Sequence, residues 1–369
     1  MRIERIEVIP LEVPLSRTFH GSYYSMSSRA TLVTRVHTDE GLVGESYNGD
    51  EVHTQHEIGR IVTEEIAPRL SEVDPTMVEQ CWQTMLPLTF DILRDRRLVL
   101  MAMAAVDSAL WDLVGKRAGM PLYRLWGGAT DRLPIIAIGG YYRQTEAELG
   151  AEVEGYLEMG IGGCKMKVGS ASPEEDAARF VAMRRAAAGA PFVLIADANQ
   201  GYRPADAIRF ARLVEEHDLR WFEEPVRWEN ADLGMRDVRL KTGVPVAAGQ
   251  SELARADVRR LMEAGAIDVC NFDASWSGGP TEWRRVAGLA ASYGVEMAHH
   301  EEPQVAAHLL ASVSHGTFVE VFHPDRDPIF WNLIANRSPI EGGVYTLPSG
   351  PGLGLQLDER FIDRHRADR

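Results

Sequence analysis

From residue 133 onward, apolar and polar positions settle into a regular beat. Short apolar runs occur at 133–138, 163–168, 192–196, 221–222, 244–248, 267–272, 295–298 and 318–321. Amphipathic stretches such as 146–159, 173–188 and 205–216 separate nearly all of them. Strand followed by helix, repeated this often, predicts parallel strands joined by helical crossovers. Eight strands predict a closed α/β barrel with its active groups at the C-terminal strand ends. The first third of the chain has another pattern. Residues 2–13 and 30–46 read as strands, the latter with a turn at Thr38-Asp39-Glu40-Gly41. Residues 16–28 between them form a polar and aromatic loop containing His20, Tyr23 and Tyr24. Helical patterns follow over about 51–69, 75–86 and 98–118, and the last stops at Gly119-Met120-Pro121.

Each barrel run ends in groups that an apolar interior would not accept without a reason. Lys165 and Lys167 stand two apart on the second strand and so point to one face. Asp197 and Asn199 close the third run, Glu223 and Glu224 the fourth, Gln250 the fifth, Asp273 the sixth, His300 the seventh and Glu320 the eighth. Successive ends lie 20 to 30 residues apart, the length of one strand, one helix and their loops. Singly, each has a plainer use: a solvated strand end for the lysines, a helix cap for Asp197 and Asn199, a charged helix start for Glu223-Glu224-Pro225. Their shared phase selects the joint reading, in which all converge on one mouth.

Converged groups of these types define a chemistry. Acidic side chains on successive strands make an oxygen cage for a hard cation, and Mg2+ leaves positions open for substrate oxygens. A carboxylate substrate chelating that metal can lose its α-proton, because the metal stabilises the enediolate charge. A lysine crowded by another lysine and a metal is depressed toward neutrality, and a histidine starts there. Lys167 and His300 are expected to approach the substrate from opposite sides, with Asp273 orienting His300. His299 reads as structural.

Composition narrows the partners. A chain of 369 residues suggests one large domain plus a second. A net charge of −15 argues against a nucleic-acid or anionic-membrane surface, though not against an anionic substrate held by a metal. Cys81, Cys164 and Cys270 lack metal-type spacing and read as buried thiols in a reducing compartment. The N-terminus does not read as a signal peptide, and the apolar stretch at 98–106 is interrupted too soon by Asp107 to span a membrane. A cytoplasmic location is expected. The Gly-rich segment Ser349-Gly350-Pro351-Gly352-Leu353-Gly354 follows no nucleotide-binding strand and reads as an irregular loop.

At the level of motifs the resemblance is specific and covers essentially the whole chain. The stretch running from Ala104 through Asp107, Trp111 and Gly115 to Lys116, continued by Pro121-Leu122-Tyr123-Arg124-Leu125-Trp126-Gly127-Gly128, resembles the helical signature of the mandelate racemase and muconate-lactonizing branch of the enolase superfamily. Lys165-Met166-Lys167 resembles that branch's catalytic strand. Asp197-Ala198-Asn199-Gln200 and Trp221-Phe222-Glu223-Glu224-Pro225 resemble its first two metal-ligand motifs. Asp273, His300 and Glu320 fall where the mandelate racemase-like subgroup carries its Asp–His dyad and carboxyl electrophile. The resemblance implies a modified (β/α)7β TIM barrel over 129–330, an α+β capping domain over 1–128, and a tail, 331–369, that returns to the cap. It also implies Mg2+ and two substrate-closing loops at 16–28 and 46–55.

One departure stands out. The family's third ligand is usually the Glu of a Gly-Glu step, and here the step is Gly249-Gln250. An amide oxygen can serve, as Asn does in the related glucarate dehydratases, or Glu252 contributes instead. Most members of the subgroup are acid-sugar dehydratases, which turn a sugar acid into its 2-keto-3-deoxy product. A racemase or epimerase and a non-catalytic sugar-acid binder are the alternatives. His20, Tyr23, Tyr24 and Arg29 near the first loop, Tyr141, Tyr142 and Arg143 after the first barrel strand, and Asn199 and Glu224 beside the metal ligands are expected to set the substrate. Two arginines near the cap favour a diacid. A homo-oligomer, octamer or dimer, is expected.

Overall fold

The computed structural model describes residues 1–49 and 52–368. Strands β1 (Ile3–His20), β2 (Ser25–Thr38) and β3 (Val43–Asn48) form an antiparallel sheet. Its apolar face, with Ile6, Leu32 and Val36, packs on the helix Arg96–Ala118 to form the core of the cap. Asp95 caps that helix by accepting from the Arg97 amide, and Gly119 ends it in the left-handed region at φ 65°. Among the described residues this is the one helix long and apolar enough to cross a membrane, and 83% of its apolar window is buried inside the protein. Part of the expected loop at 46–55, residues 50 and 51, lies outside the described residues.

Residues 16–28 are a hairpin, not a loop. Pairing of β1 with β2 slips between Pro14 and Phe19 and then resumes to His20 and Ser25. Composition pointed to a loop, but antiparallel partners satisfy this polar backbone as well as they would an apolar one. Only the four-residue tip turns, closed by the Gly21 amide on the Tyr24 carbonyl at 3.0 Å. A Cβ at Gly21 would stand 2.2 Å from the Tyr24 ring.

The barrel strands are β4 (Arg132–Gly139), β5 (Gly163–Lys167), β6 (Val193–Asp197), β7 (Leu219–Glu223), β8 (Val246–Ala248), β9 (Val269–Cys270), β10 (Glu296–Met297) and β11 (Val319–Phe322). Neighbours follow chain order, all parallel, and β11 pairs with β4. The last seam is closed by Met297, which bonds to the His315 carbonyl and the Thr317 amide, each at 2.8 Å. A short hairpin, β12 (Ile340–Glu341) and β13 (Val344–Thr346), adds to the N-terminal end of β4.

Ile136, Ile195, Trp221, Ala247, Val269 and Ala298 fill the barrel as an apolar plug. Side chains alternate with period two, so Asp197, Glu223, Asn271 and His300 face the same interior one layer higher. The mouth is therefore the next layer of the core, made polar.

The tail lies along the cap. Gly352 sits at φ 71° where a Cβ would meet Asp112 Oδ1 at 2.2 Å, and a Cβ at Gly115 would meet Gly352 itself at 2.6 Å. The Leu353 amide donates to Asp112 Oδ1 (2.8 Å), and the Ala367 amide donates to the Pro10 carbonyl of β1 (2.9 Å).

Candidate active site

Of the seven non-glycine residues at positive φ among the described residues, six lie just beyond barrel strands: Arg143, Asn199, Gln200, Glu224, Glu301 and Glu302. Strain of about 1–3 kcal/mol each persists only where surroundings enforce it, and it concentrates at functional sites.

Lys165 and Lys167 emerge from β5 fully buried and ion-paired. Lys165 Nζ lies 2.7 Å from Glu223 Oε1 and 2.6 Å from Glu320 Oε1. Lys167 Nζ lies 2.6 Å from Asp197 Oδ2. The expected depression involves a metal, and from the protein groups alone the lysines shift the other way. Burial alone would lower them, but Glu223 and Glu320 raise Lys165, and Asp197 raises Lys167 well above the usual range. The reason is the number of carboxylates: a second ammonium is outweighed when each lysine touches an anion in a dry site.

Asn199 and Glu224 are both engaged by their neighbours, although Asn199 Oδ1 is left without a partner. Asn199 donates to Asp197 through its amide N–H (2.9 Å) and its side chain (3.1 Å) and so fixes that carboxylate. Asn199 is not a helix cap, because the next helix begins at Pro204. Glu224 accepts from Gln250 Nε2 (2.7 Å) and Ser251 Oγ (2.6 Å). This orients the Gln250 amide, whose Oε1 is buried without a partner. Burial pushes Glu223 up to about 7 despite Lys165. Glu252 is pushed up to about 8, by burial and then by Glu224 and Asp257. Among the described residues no three His, Cys, Asp or Glu side chains gather as a metal cage, the third oxygen of the candidate set being an amide.

On the other wall, His300 Nδ1 lies 2.9 Å from Asp273 Oδ2, and the amides of Ser275 (2.7 Å) and Trp276 (3.3 Å) donate to Asp273 Oδ1. His300 Nε2 lies 3.2 Å from Glu301 Oε1. Burial opposes the imidazolium, but Glu301 and Asp273 raise His300 well above its ordinary value. The Trp276 ring packs 4.8 Å from His300. His299 accepts from the Ala274 amide and bonds to the His300 carbonyl through Nδ1, the pattern of a neutral structural histidine.

Three groups here lie outside the expectations. Glu301 touches His300 and donates its amide to Glu320 Oε2 at 3.0 Å. Asn271 is fully buried with neither side-chain atom partnered. Trp276 packs on the imidazole at a tilt of 50°. Only Asn271 had a signal in the sequence, its inward phase two residues after Val269.

The expected substrate-selecting residues divide. The hairpin tip docks on the mouth: Ser22 Oγ donates to the Val168 carbonyl (2.6 Å), and the Tyr142 amide donates to the His20 carbonyl (2.8 Å). Lys167 Nζ lies 5.8 Å from the Tyr24 ring centre. Tyr141 is buried with an unpartnered hydroxyl, and burial raises it. Tyr142 instead donates to Asp176 (2.9 Å). Tyr23 is 71% exposed, and His20 bonds Ser25 within the hairpin (2.8 Å). Arg143 is exposed. Arg29 is fully buried, bound to Glu302 (2.8 Å), Asp327 (3.2 Å) and the Gly49 carbonyl (2.7 Å). A buried guanidinium needs several acceptors, and an arginine that finds them within the fold is structural, not substrate-facing.

A capped parallel barrel with paired lysines, clustered carboxylates and an Asp–His pair at one mouth defines an enolase-type enzyme. The comparisons make this specific. Residues 5–127 match the mandelate racemase/muconate lactonizing enzyme N-terminal domain, and residues 148–361 match the enolase C-terminal domain-like family. The chain belongs to the mandelate racemase/muconate lactonizing enzyme family of the enolase superfamily and is an enzyme. It is 31% identical to the 3,6-anhydro-α-L-galactonate cycloisomerase of Streptomyces coelicolor, over 98% of this chain and 99% of that one. It is 27% identical to the arabinonate dehydratase of Saccharolobus solfataricus, over 91% and 90%. A mandelate racemase/muconate lactonizing enzyme from a marine actinobacterium, solved in complex with magnesium, superposes with a TM-score of 0.94 at 52% identity, over 100% and 99% of the two chains.

Proposed function

We propose that the chain is a magnesium-dependent lyase that removes the proton α to the carboxylate of a sugar acid and expels the β-hydroxyl, giving a 2-keto-3-deoxy acid. The observation that carries this reading is the pairing of Lys165 and Lys167 with Glu223 and Asp197, in one mouth with the Asp273–His300 pair. The donors suit Mg2+. Asp197, Glu223 and Gln250 offer only oxygens, as a hard cation requires, and Gln250 Oε1 is buried with its partner missing. When bound, the ion neutralises charge that develops on the substrate carboxylate.

The chain's own residues carry the protons. Lys167 and His300 share the transfers, one taking the α-proton and the other supplying a proton to the departing oxygen. His300, held charged between Asp273 and Glu301, suits the second task. Glu320 is fixed at the mouth by Lys165 and the Glu301 amide and holds Lys165 in place beside the metal donors. Asn199 and Glu224 orient Asp197 and Gln250. The hairpin tip excludes water above Lys167.

Screening the magnesium-loaded enzyme against sugar acids, with detection of keto acid, tests the reading. Lys167→Ala and His300→Asn should each cut turnover by about 10² or more. Exchange of the α-proton with deuterated solvent in one of them identifies the remaining residue as the base. Wild-type turnover in both removes the mechanism. The 31% identity to a cycloisomerase supports a second reading, in which the β-oxygen belongs to a ring of the substrate and the product is an isomer. Mass spectrometry separates the two, loss of one water marking the dehydratase and unchanged mass the isomerase, and chiral analysis of an unchanged-mass product would identify an epimerase. We assign the enzyme to the cytoplasm, in keeping with its three buried free thiols, and expect a homo-oligomer.

A further inference from the structure

Glu301 stands at the one ring nitrogen of His300 that Asp273 leaves free, with Nε2 and Oε1 3.2 Å apart. Its backbone is held at φ 53°, followed by Glu302 at φ 49°, and its amide is tied to Glu320. Two successive left-handed glutamates are an unfavourable way to leave a strand, and the tie to Glu320 aims the first of them at the imidazole. Its side chain keeps 12% exposure, so it is not sealed within the wall.

An ionised carboxylate has acceptors only. A substrate hydroxyl can donate to it, whereas a second substrate carboxylate can only repel it. Besides His300, two arginines act on Glu301, and both are engaged with other groups. Arg29 is bound to Glu302 and Asp327, and Arg326 lies over the Phe322 ring with Nη2 2.6 Å from the Met26 sulfur. Burial works against ionisation of Glu301, yet His300 and these arginines hold its carboxyl well below the usual range.

We infer that the substrate is a monocarboxylic sugar acid, and that Glu301 is a specificity-determining residue that accepts from a hydroxyl of its tail and excludes a second carboxylate. This deepens the sugar-acid reading and rests on it. It also reverses the expectation of a diacid, which depended on Arg29 and Arg143 facing the substrate.

The test compares matched aldonates and aldarates of equal length and configuration with the magnesium-loaded enzyme. The expected result is a kcat/KM at least about tenfold higher for the monoacid. Glu301→Gln should narrow that ratio about tenfold, because the amide removes the repulsion and can donate to a carboxylate. Preference for the aldarate, or a ratio unchanged in Glu301→Gln, overturns the inference while leaving the sugar-acid reading standing. Should Glu301→Gln turn over nothing, the ratio of dissociation constants for the two acids, measured by calorimetry, answers in its place. Failure of the wild type to turn over any acid of either kind sinks the function instead, and the binding ratio still decides the role of Glu301.

Discussion

Lys167 Nζ lies 2.6 Å from Asp197 Oδ2, and both groups are buried. Removing one member of such a pair leaves the other as an uncompensated buried charge, which costs about 3–5 kcal/mol. Lys167→Ala should therefore lower the melting temperature of the metal-free enzyme. Added Mg2+ should then stabilise the variant more than the wild type, since a cation at Asp197 replaces the missing one. Thermal unfolding with and without Mg2+ measures this. Equal stabilisation of both proteins would mean that the ion does not bind Asp197.

Gln250 donates to Glu224, so a bare Gln250→Glu change would set two carboxylates against each other. The informative variant is Gln250→Glu combined with Glu224→Gln. Its Mg2+ affinity, measured by titration calorimetry, should rise by about tenfold, or about 1.4 kcal/mol. Unchanged affinity would move the third donor away from position 250.

His300 is raised above its ordinary value of about 6.5. Stability from its ion pairs is therefore complete below that pH and is lost as pH climbs through the raised value. The stability difference between wild type and His300→Asn should be larger at about pH 6 than at about pH 10, read by denaturant unfolding. A difference that grows with pH would contradict an imidazolium held by Asp273 and Glu301.

Arg29→Ala leaves Glu302 and Asp327 buried without their shared cation. It should destabilise the fold by about 3–5 kcal/mol, and whatever folded enzyme remains should keep the wild-type ranking of substrates. A changed ranking with undiminished stability would return Arg29 to the substrate site.

Tyr24 lies above Lys167 while Tyr23 points to solvent, so the two neighbours should behave differently. Tyr24→Ala should lower turnover about tenfold without changing Mg2+ affinity, and Tyr23→Phe should change neither. Equal effects in steady-state kinetics would mean that the tip does not act through Lys167.

The eight strands and the mouth residues were legible because barrel geometry repeats at a fixed length and inward positions recur with period two. Asp197, Glu223, Asp273, His300 and Glu320 stand at strand ends for that reason. What the sequence did not disclose was which partner each polar group takes. Arg29 and Tyr23 sit within six residues of each other and look equally available, yet one is sealed under Glu302 and the other is exposed. Glu301 was missed because it follows the catalytic-type histidine by one position, where strand alternation would turn it away. Its left-handed backbone turns it toward the site instead. The hairpin was hidden because main-chain pairing leaves no mark on composition.

The last residues of the chain bond to the first strand, through Ala367 and Pro10, and Leu353 bonds to the cap helix through Asp112. During synthesis the barrel strands therefore leave the ribosome well before the cap can be finished. The hairpin that covers Lys167 is made early, but the sheet it grows from waits for the closing segment. A chain truncated near residue 330 should therefore carry the barrel strands under an unfinished lid, and supplying the 331–369 segment should restore activity.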